Sequence, residues 1–394
     1  GLPSGFDVRD WLARGSTIQE RTALWKELMR RTRPVPKDWA GDGTTGRTPA
    51  AAIAAPTIDC LPCSKWTELV MAWRKALRWT DGLDRALAVM LSAVTSTRAV
   101  GDQLWVKIIA PAAAGKSTLC EALSVNKQYV VAKSTLRGFH SGFDDGSGDN
   151  FSPLKEMIDK TLVIKDGDAL LQAPNVDQIL SEARDIYDRV SRYSYRNKQS
   201  RDQQGLNITI ILCGTSSLRQ LDTSELGERF LDSVIMESID DDLEDEILWR
   251  VVNRADRSMA FEADGKFDTQ HDPNLVRAMQ LTGGYVGWLR ENARDLLGSV
   301  EGTDDDHQEA LRKCARLGKF VAFARARPSD SQDETAEREF ASRLASQLVR
   351  LAKCLAVVLN RKSLDAEVMR RVRHVALDTA RGRTLEIIRH LYAN

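Results

Sequence analysis

The sequence predicts an α/β chain, in which a parallel sheet is sandwiched by helices, preceded by a helical segment and followed by a helical subdomain. Three observations predict it. Short apolar runs, QLWVKIIA, QYVVAKS, TLVIKDG and NITIILCG, alternate with helical or polar stretches, and such near-continuous strands belong to sheets buried on both faces. The first run leads directly into Ala110-Pro-Ala-Ala-Ala-Gly115-Lys116-Ser117-Thr118 and then into a helix-forming stretch. Finally, 394 residues with 42% hydrophobic and 28% charged side chains suffice to bury a large core.

In chain order, residues 8–31 carry Val8, Trp11, Leu12, Ile18, Leu24, Trp25 and Leu28 among charges, a helical pattern. Residues 33–62 turn to Pro, Gly, Thr and Ala and read as a linker. Cys60 and Cys63 form a C-x-x-C within it, but no second ligand pair follows at zinc-site spacing, so they read as two ordinary thiols. From Trp66 to Thr97 the pattern is again helical, with Leu69, Trp73, Leu77, Leu83, Leu87, Met90 and Leu91 inward. The four strands follow. After Asp240 the strand signal stops, and from Thr335 onward Phe340, Leu344, Leu348, Leu351, Leu355 and Val358 mark a helix. The predicted organisation is therefore residues 1–64 as helix and linker, 65–330 as the α/β core and 331–394 as a helical subdomain.

Composition excludes several classes. Lys plus Arg (56) equals Asp plus Glu (56), so no global charge draws the chain to nucleic acid or membrane. No apolar run approaches the roughly 20 residues of a membrane span. Six cysteines fit reduced thiols in a cytoplasm. The first residues lack an apolar signal core and an initiator Met, which predicts a piece of a longer polypeptide.

The chemistry concentrates in residues 110–118, a phosphate-binding loop by its G-K-[ST] end and its strand–loop–helix context. Gly115 lets the backbone curl, and the amides of Ala114 through Thr118 open a helix whose free N–H groups attract phosphate. Lys116 reaches the β and γ phosphates of ATP, and the Ser117 hydroxyl meets Mg²⁺. Ala110 stands where the pattern has its first Gly, which is tolerable if that position does not need positive φ. A metal-positioning acid is expected at a neighbouring strand end. Asp166, closing TLVIKD, supplies it, while Gly167 follows where a catalytic Glu is usual. Asp168, or Glu182 on the next helix, is left to orient the attacking water; Asp168 also reads as a turn or cap residue.

This series, continued by Ile208-Thr-Ile-Ile-Leu-Cys-Gly214-Thr215-Ser216 and Glu225-Leu-Gly-Glu-Arg229-Phe230, resembles the ordered motifs of AAA+ P-loop ATPases. The G-E-R-F resembles a sequence of minichromosome-maintenance helicases. The resemblance implies that Thr215 is the sensor 1 residue. It makes Arg229 an arginine finger acting on a neighbouring subunit, and hence implies a homo-hexameric ring; a helix salt bridge to Glu225 or Glu228 is the alternative for Arg229. Residues 339–351 resemble the lid helix, with Arg343 as sensor 2 and Arg290 as the competing candidate. Such a lid leads into a winged helix, which residues 384–392 would only begin. At the other end, Gly5-Phe-Asp7-Val8-Arg-Asp10-Trp11-Leu12-Ala-Arg-Gly15 resembles the tail that follows TOPRIM primase domains, which implies a primase domain upstream.

Together these resemblances imply the ATP- and Mg²⁺-dependent DNA helicase part of a phage or plasmid primase-helicase, in the cytoplasm of a bacterial or phage-infected cell. The alternative is an ATP-regulated helicase loader or origin-binding assembly factor without processive unwinding. Residues 191–201 are basic with interleaved aromatics. The resemblance places there a hairpin that enters the ring's channel, so that Arg196, Lys198 and Arg201 neutralise the backbone of single-stranded or forked DNA. A solvated loop is the bland alternative.

Overall fold

The computed structural model divides into two compact units, Gly1–Pro56 and Thr57–Asn394. The structure describes residues 59–136, 138–139, 153–194, 200–223, 226, 229–235, 272–300, 302–325 and 340–380, with isolated positions elsewhere. The predicted helix of residues 8–31 is described only at four helical positions, and most of the linker and the primase-like tail lie outside the described residues.

In the second unit, the described helices ahead of the sheet are α1 (Trp66–Ala76) and α2 (Asp81–Ser96), where the sequence suggested a continuous one. The break has a local cause. The Thr80 side chain accepts from the Leu83 N–H and caps α2, and Trp79 stacks on Trp73 at 5.3 Å. After β1 (Trp105–Ile109) come α3 (Lys116–Ser124), β2 (Val130–Lys133), the short α4 (Leu154–Met157), β3 (Thr161–Ile164), α5 (Gly167–Leu171) and α6 (Val176–Tyr187). A hairpin of β4 (Val190–Ser194) and β5 (Ser200–Gln204) precedes β6 (Thr209–Gly214), a 3-10 helix (Ser216–Thr223) and β7 (Phe230–Val234). The helices α7 (Pro273–Gly298), α8 (Asp305–Ala324), α9 (Ala341–Val358) and α10 (Ala366–Thr379) follow.

The main sheet is parallel with order β2-β3-β6-β1-β7. Alternate residues serve two cores. Val106, Ile108, Val163, Ile211, Cys213 and Leu231 join the helices α1, α2, α3, α7 and α9 on one face. Trp105, Ile109, Leu162, Ile164, Ile210, Leu212 and Phe230 join Leu170, Ile179, Ala183 and Ile186 of α5 and α6 on the other. Burial on both faces explains why the strands read as continuous apolar runs.

The sequence pattern did not mark β7, because Asp232 interrupts Phe-Leu-Asp-Ser-Val. That acid is fully buried and pairs at 3.0 Å with Lys107, its register partner on β1, which is equally buried. On the outer edge of β7, the Asp232 N–H donates to Thr379 Oγ1 and the Val234 N–H to Asp378 Oδ2, so α10 satisfies an edge that no other strand covers among the described residues. Among the described residues no helix is long and apolar enough to cross a membrane.

Candidate functional site: the loop after the first strand

The strand order sets β6 between β1 and β3, so the sequence following each of these three parallel strands emerges on one edge of the sheet. Residues 110–115 leave β1 there and curl back on themselves. Gly115, the cap of α3, has φ 88°, in the left-handed region that glycine occupies without a Cβ penalty. Ala113 also lies at positive φ, 62°, whereas Ala110 does not. Ala110 is tied into the sheet through its N–H to Gly214 O at 3.2 Å, which is why Ala serves where the motif has Gly.

The Lys116 ammonium folds over the loop and donates to Ala110 O and Pro111 O, both at 2.6 Å. Burial holds its pKa below the ordinary lysine range, while Cys213, Asp168 and Cys120 pull it the other way. Ala114 is half-buried, Ser117 is exposed in the first turn of α3 and Thr118 is half-buried. The described backbone therefore has the curl, the helix start and the central cation that a phosphate chain requires.

The two acids after β3 do different work. Asp166 is exposed, and its Oδ1 accepts the Ala169 N–H at 3.0 Å, capping α5. Next to it, Lys165 pairs with Glu121 of α3 at 3.3 Å, which draws the end of β3 alongside the helix that carries Ser117. Asp168 reaches across to β6: its Oδ2 accepts the Thr215 N–H at 2.9 Å, and its Oδ1 accepts the hydroxyl of Thr215 at 3.2 Å and that of Ser217. Two glycines permit this approach. A Cβ on Gly214 would lie 3.0 Å from Asp168 Oδ1. A Cβ on Gly167 would lie 2.7 Å from both Leu212 and Leu218, so position 167 faces the core and has no room for the glutamate that the motif usually carries. Glu182 is not free for water activation either. It is buried, and its carboxylate accepts the Phe139 N–H at 3.2 Å and the Gln178 side-chain amide at 2.8 Å.

The arginines expected to complete the site lie away from the loop in this chain. Arg229 immediately precedes β7 at its amino end, with its side chain 9% exposed. It pairs with Asp188 at 3.3 Å and lies over the Tyr187 ring at 5.3 Å, so it is engaged inside its own chain. Arg343 sits one helical turn before Gln347, whose amide donates to Tyr187 Oη and to Arg229 O. Tyr187 in turn packs edge-on against Trp105, the first residue of β1. Burial pushes the Tyr187 phenol up to about 12, with Asp102 adding to the rise and Gln347, Arg343 and Arg229 opposing it. Arg290 donates to Asp159 O at 2.8 Å and lies over the Tyr129 ring, just before β3 and β2. All three thus belong to the amino ends of strands, about 13 Å from the loop across the length of β1. Neither sensor 2 candidate reaches Lys116.

The cations near the loop edge are ones that the motifs did not single out. Arg85 donates to Val234 O at the carboxyl end of β7, and Arg371 of α10 pairs with Asp84 at 2.6 Å. Their signal in the sequence is only an ordinary helical spacing of charge. The hairpin suggested for residues 191–201 is present as β4 and β5, with Arg201 opposite Tyr193. Its tip, with Arg196 and Lys198, lies outside the described residues. Cys60 is exposed, whereas Cys63 is buried and its thiol donates to Lys65 O. Among the described residues no cluster of three or more His, Cys, Asp or Glu side chains could hold a metal by itself. Compared with protein-family models and with curated proteins, the chain matches none.

Proposed function

We propose that the chain binds ATP with Mg²⁺ at residues 110–118 and couples its hydrolysis to movement on single-stranded DNA, as the cytoplasmic motor part of a phage or plasmid type of primase-helicase. One observation carries this reading: Lys116 folds into a loop with a left-handed Gly115, beside strand ends where Asp168 and Thr215 are hydrogen-bonded. The ammonium exchanges two carbonyl partners for phosphate oxygens, which bind it more strongly as charged acceptors. Ala114, Gly115, Ser117 and Thr118 contribute the amide cradle. The Ser117 hydroxyl and the Asp166 carboxylate, both exposed, suit a hydrated Mg²⁺. When bound, the ion neutralises charge on the phosphates.

Asp168 Oδ2 accepts fewer hydrogen bonds than Oδ1 and keeps capacity for a further donor. That suits it to orient a water, with Thr215 holding its angle. The β4–β5 hairpin is the element for the DNA backbone, through Arg196, Lys198 and Arg201, and such binding weakens with salt and ignores sequence. A homo-hexameric ring remains part of the proposal through the resemblance.

A second reading is favoured by particular observations. Gly167 leaves no room for a glutamate, and Arg229 is held at home. Both fit a nucleotide-regulated loader or assembly factor without processive unwinding. ATP hydrolysis and strand displacement on forked DNA, measured for the chain and for Lys116→Ala, test the two. Loss of hydrolysis by about 10²-fold or more in the variant, with an unchanged melting curve, is expected. Hydrolysis without displacement by the parent chain selects the second reading, and normal hydrolysis by Lys116→Ala overturns both.

A further inference from the structure

A cavity of about 480 Å³ lies between α1, the start of α2 and α10, lined in part by Trp66, Arg74, Asp81, Arg85, Arg370 and His374. It is separate from the loop after β1. At about 100° per residue, Leu83, which would be the nearest neighbour of a Cβ on Gly115, projects from α2 on the side opposite Asp81 and Arg85. The volume falls within the range of small-molecule sites.

Charge in this cavity is unevenly matched. Asp84 is fully engaged, accepting Trp79 Nε1 at 3.0 Å and Arg371 Nη2 at 2.6 Å. Glu367 takes Arg370 through both Nε and Nη2, at 2.9 and 3.0 Å, leaving the Arg370 Nη1 donors, and takes Arg371 at 2.9 Å; Arg371 lies over the Trp66 ring. That leaves Asp81 facing Arg74, Arg85 and the exposed half of Arg370. The Arg85 Nε is buried with no hydrogen-bond partner among the described residues. His374 is half-buried at the same wall. Burial, followed by Arg85, Arg370, Arg373 and Arg371, holds its imidazole below the ordinary histidine range. Cations surround it from α2 and from its own helix; Asp84 and Glu367 are engaged by Arg371 and Arg370, and Asp81 is the acid left in the lining beside Arg74 and Arg85.

We infer that this cavity is a second, phosphate-class anion site, in which Arg85, Arg370 and Arg74 receive the phosphate oxygens beside His374 and the Trp66 wall. Guanidinium groups match such oxygens through paired N–H donors. A small phosphorylated compound or one phosphate of a nucleic-acid backbone presents the same chemistry.

The test follows the His374 ring signals of the full chain by NMR, with His374→Gln for assignment, during titration with inorganic phosphate or with a single-stranded oligothymidylate. An anion among these cations raises the His374 pKa, by about one unit. The response is expected to persist in Lys116→Ala and to weaken several-fold in Arg370→Gln, whose side chain is more than half exposed and tolerates change. Arg85→Gln, checked for an unchanged melting curve because Arg85 also holds Val234 O, is expected to abolish it. A response to phosphate assigns the site to free phosphorylated compounds, and a response to the oligonucleotide alone assigns it to nucleic acid. The inference is overturned if neither moves His374, or if Lys116→Ala removes the response while Arg370→Gln leaves it intact.

Discussion

The two ends of the parallel strands carry similar residue types with opposite histories of engagement. At the amino ends, arginines are consumed by the fold. Arg189 donates to Ala99 O and Gly101 O, and Arg290 to Asp159 O, while Arg229 is stacked on Tyr187. At the carboxyl ends, Ser117 and Asp166 stay exposed and Lys116 holds only carbonyls of its own loop. The difference teaches that a cation's role is read from whether its partners are permanent. A guanidinium bound on several sides by backbone oxygens and rings is a structural rivet, whereas an ammonium resting on two loop carbonyls can be released to a ligand.

The strongest way to break this comparison is to attack the strand that joins the two ends. Lys107→Met alone takes the paired cation away from the fully buried Asp232, and should cost about 3–5 kcal/mol in chemical denaturation, whereas adding Asp232→Leu should recover most of it. If the double variant is no better than the single, the pair is not the reason. Next, Gly167→Ala forces a methyl against Leu212 and Leu218 and should lose about 1–3 kcal/mol. A neutral result would mean that this corner can relax, and that the missing glutamate is not a packing consequence.

A smaller effect sharpens the arginine contrast. Arg229→Ala should lower stability by about 1–2 kcal/mol through the lost ring and carboxylate contacts, with ATP hydrolysis per folded molecule unchanged. A selective loss of hydrolysis at unchanged stability would restore the arginine to a role between subunits. The smallest concerns the loop itself. Ala113→Gly relieves a left-handed alanine but loosens the unfolded chain, for a net gain of about 0.5 kcal/mol in thermal unfolding.

Much of the fold was legible because its strands are buried twice. Val106, Ile211 and Leu162 leave no polar face to confuse the pattern, and the G-K-S-T after the first strand fixed where the chain must turn. The fifth strand was hidden because its central Asp232 is neutralised by Lys107, more than a hundred residues away in sequence. In the candidate site, Thr215 stands out by its position directly after an apolar run and Lys116 by the G-K-S-T that follows the first strand. Asp168 gained its partner only through Gly214, a contact that spacing alone does not reveal. The arginines were illegible for a physical reason: nothing local to Arg229 or Arg343 announces Tyr187 or Gln347, which arrive from other elements. The cavity beside His374 was equally silent, since its walls come from three helices.

The side chains of Asp378 and Thr379 act as a selvedge, finishing the sheet where the last strand would otherwise fray into open donors. A shortened chain trimmed before α10 would present that raw border to any passing β-strand, so truncated versions should clump on purification.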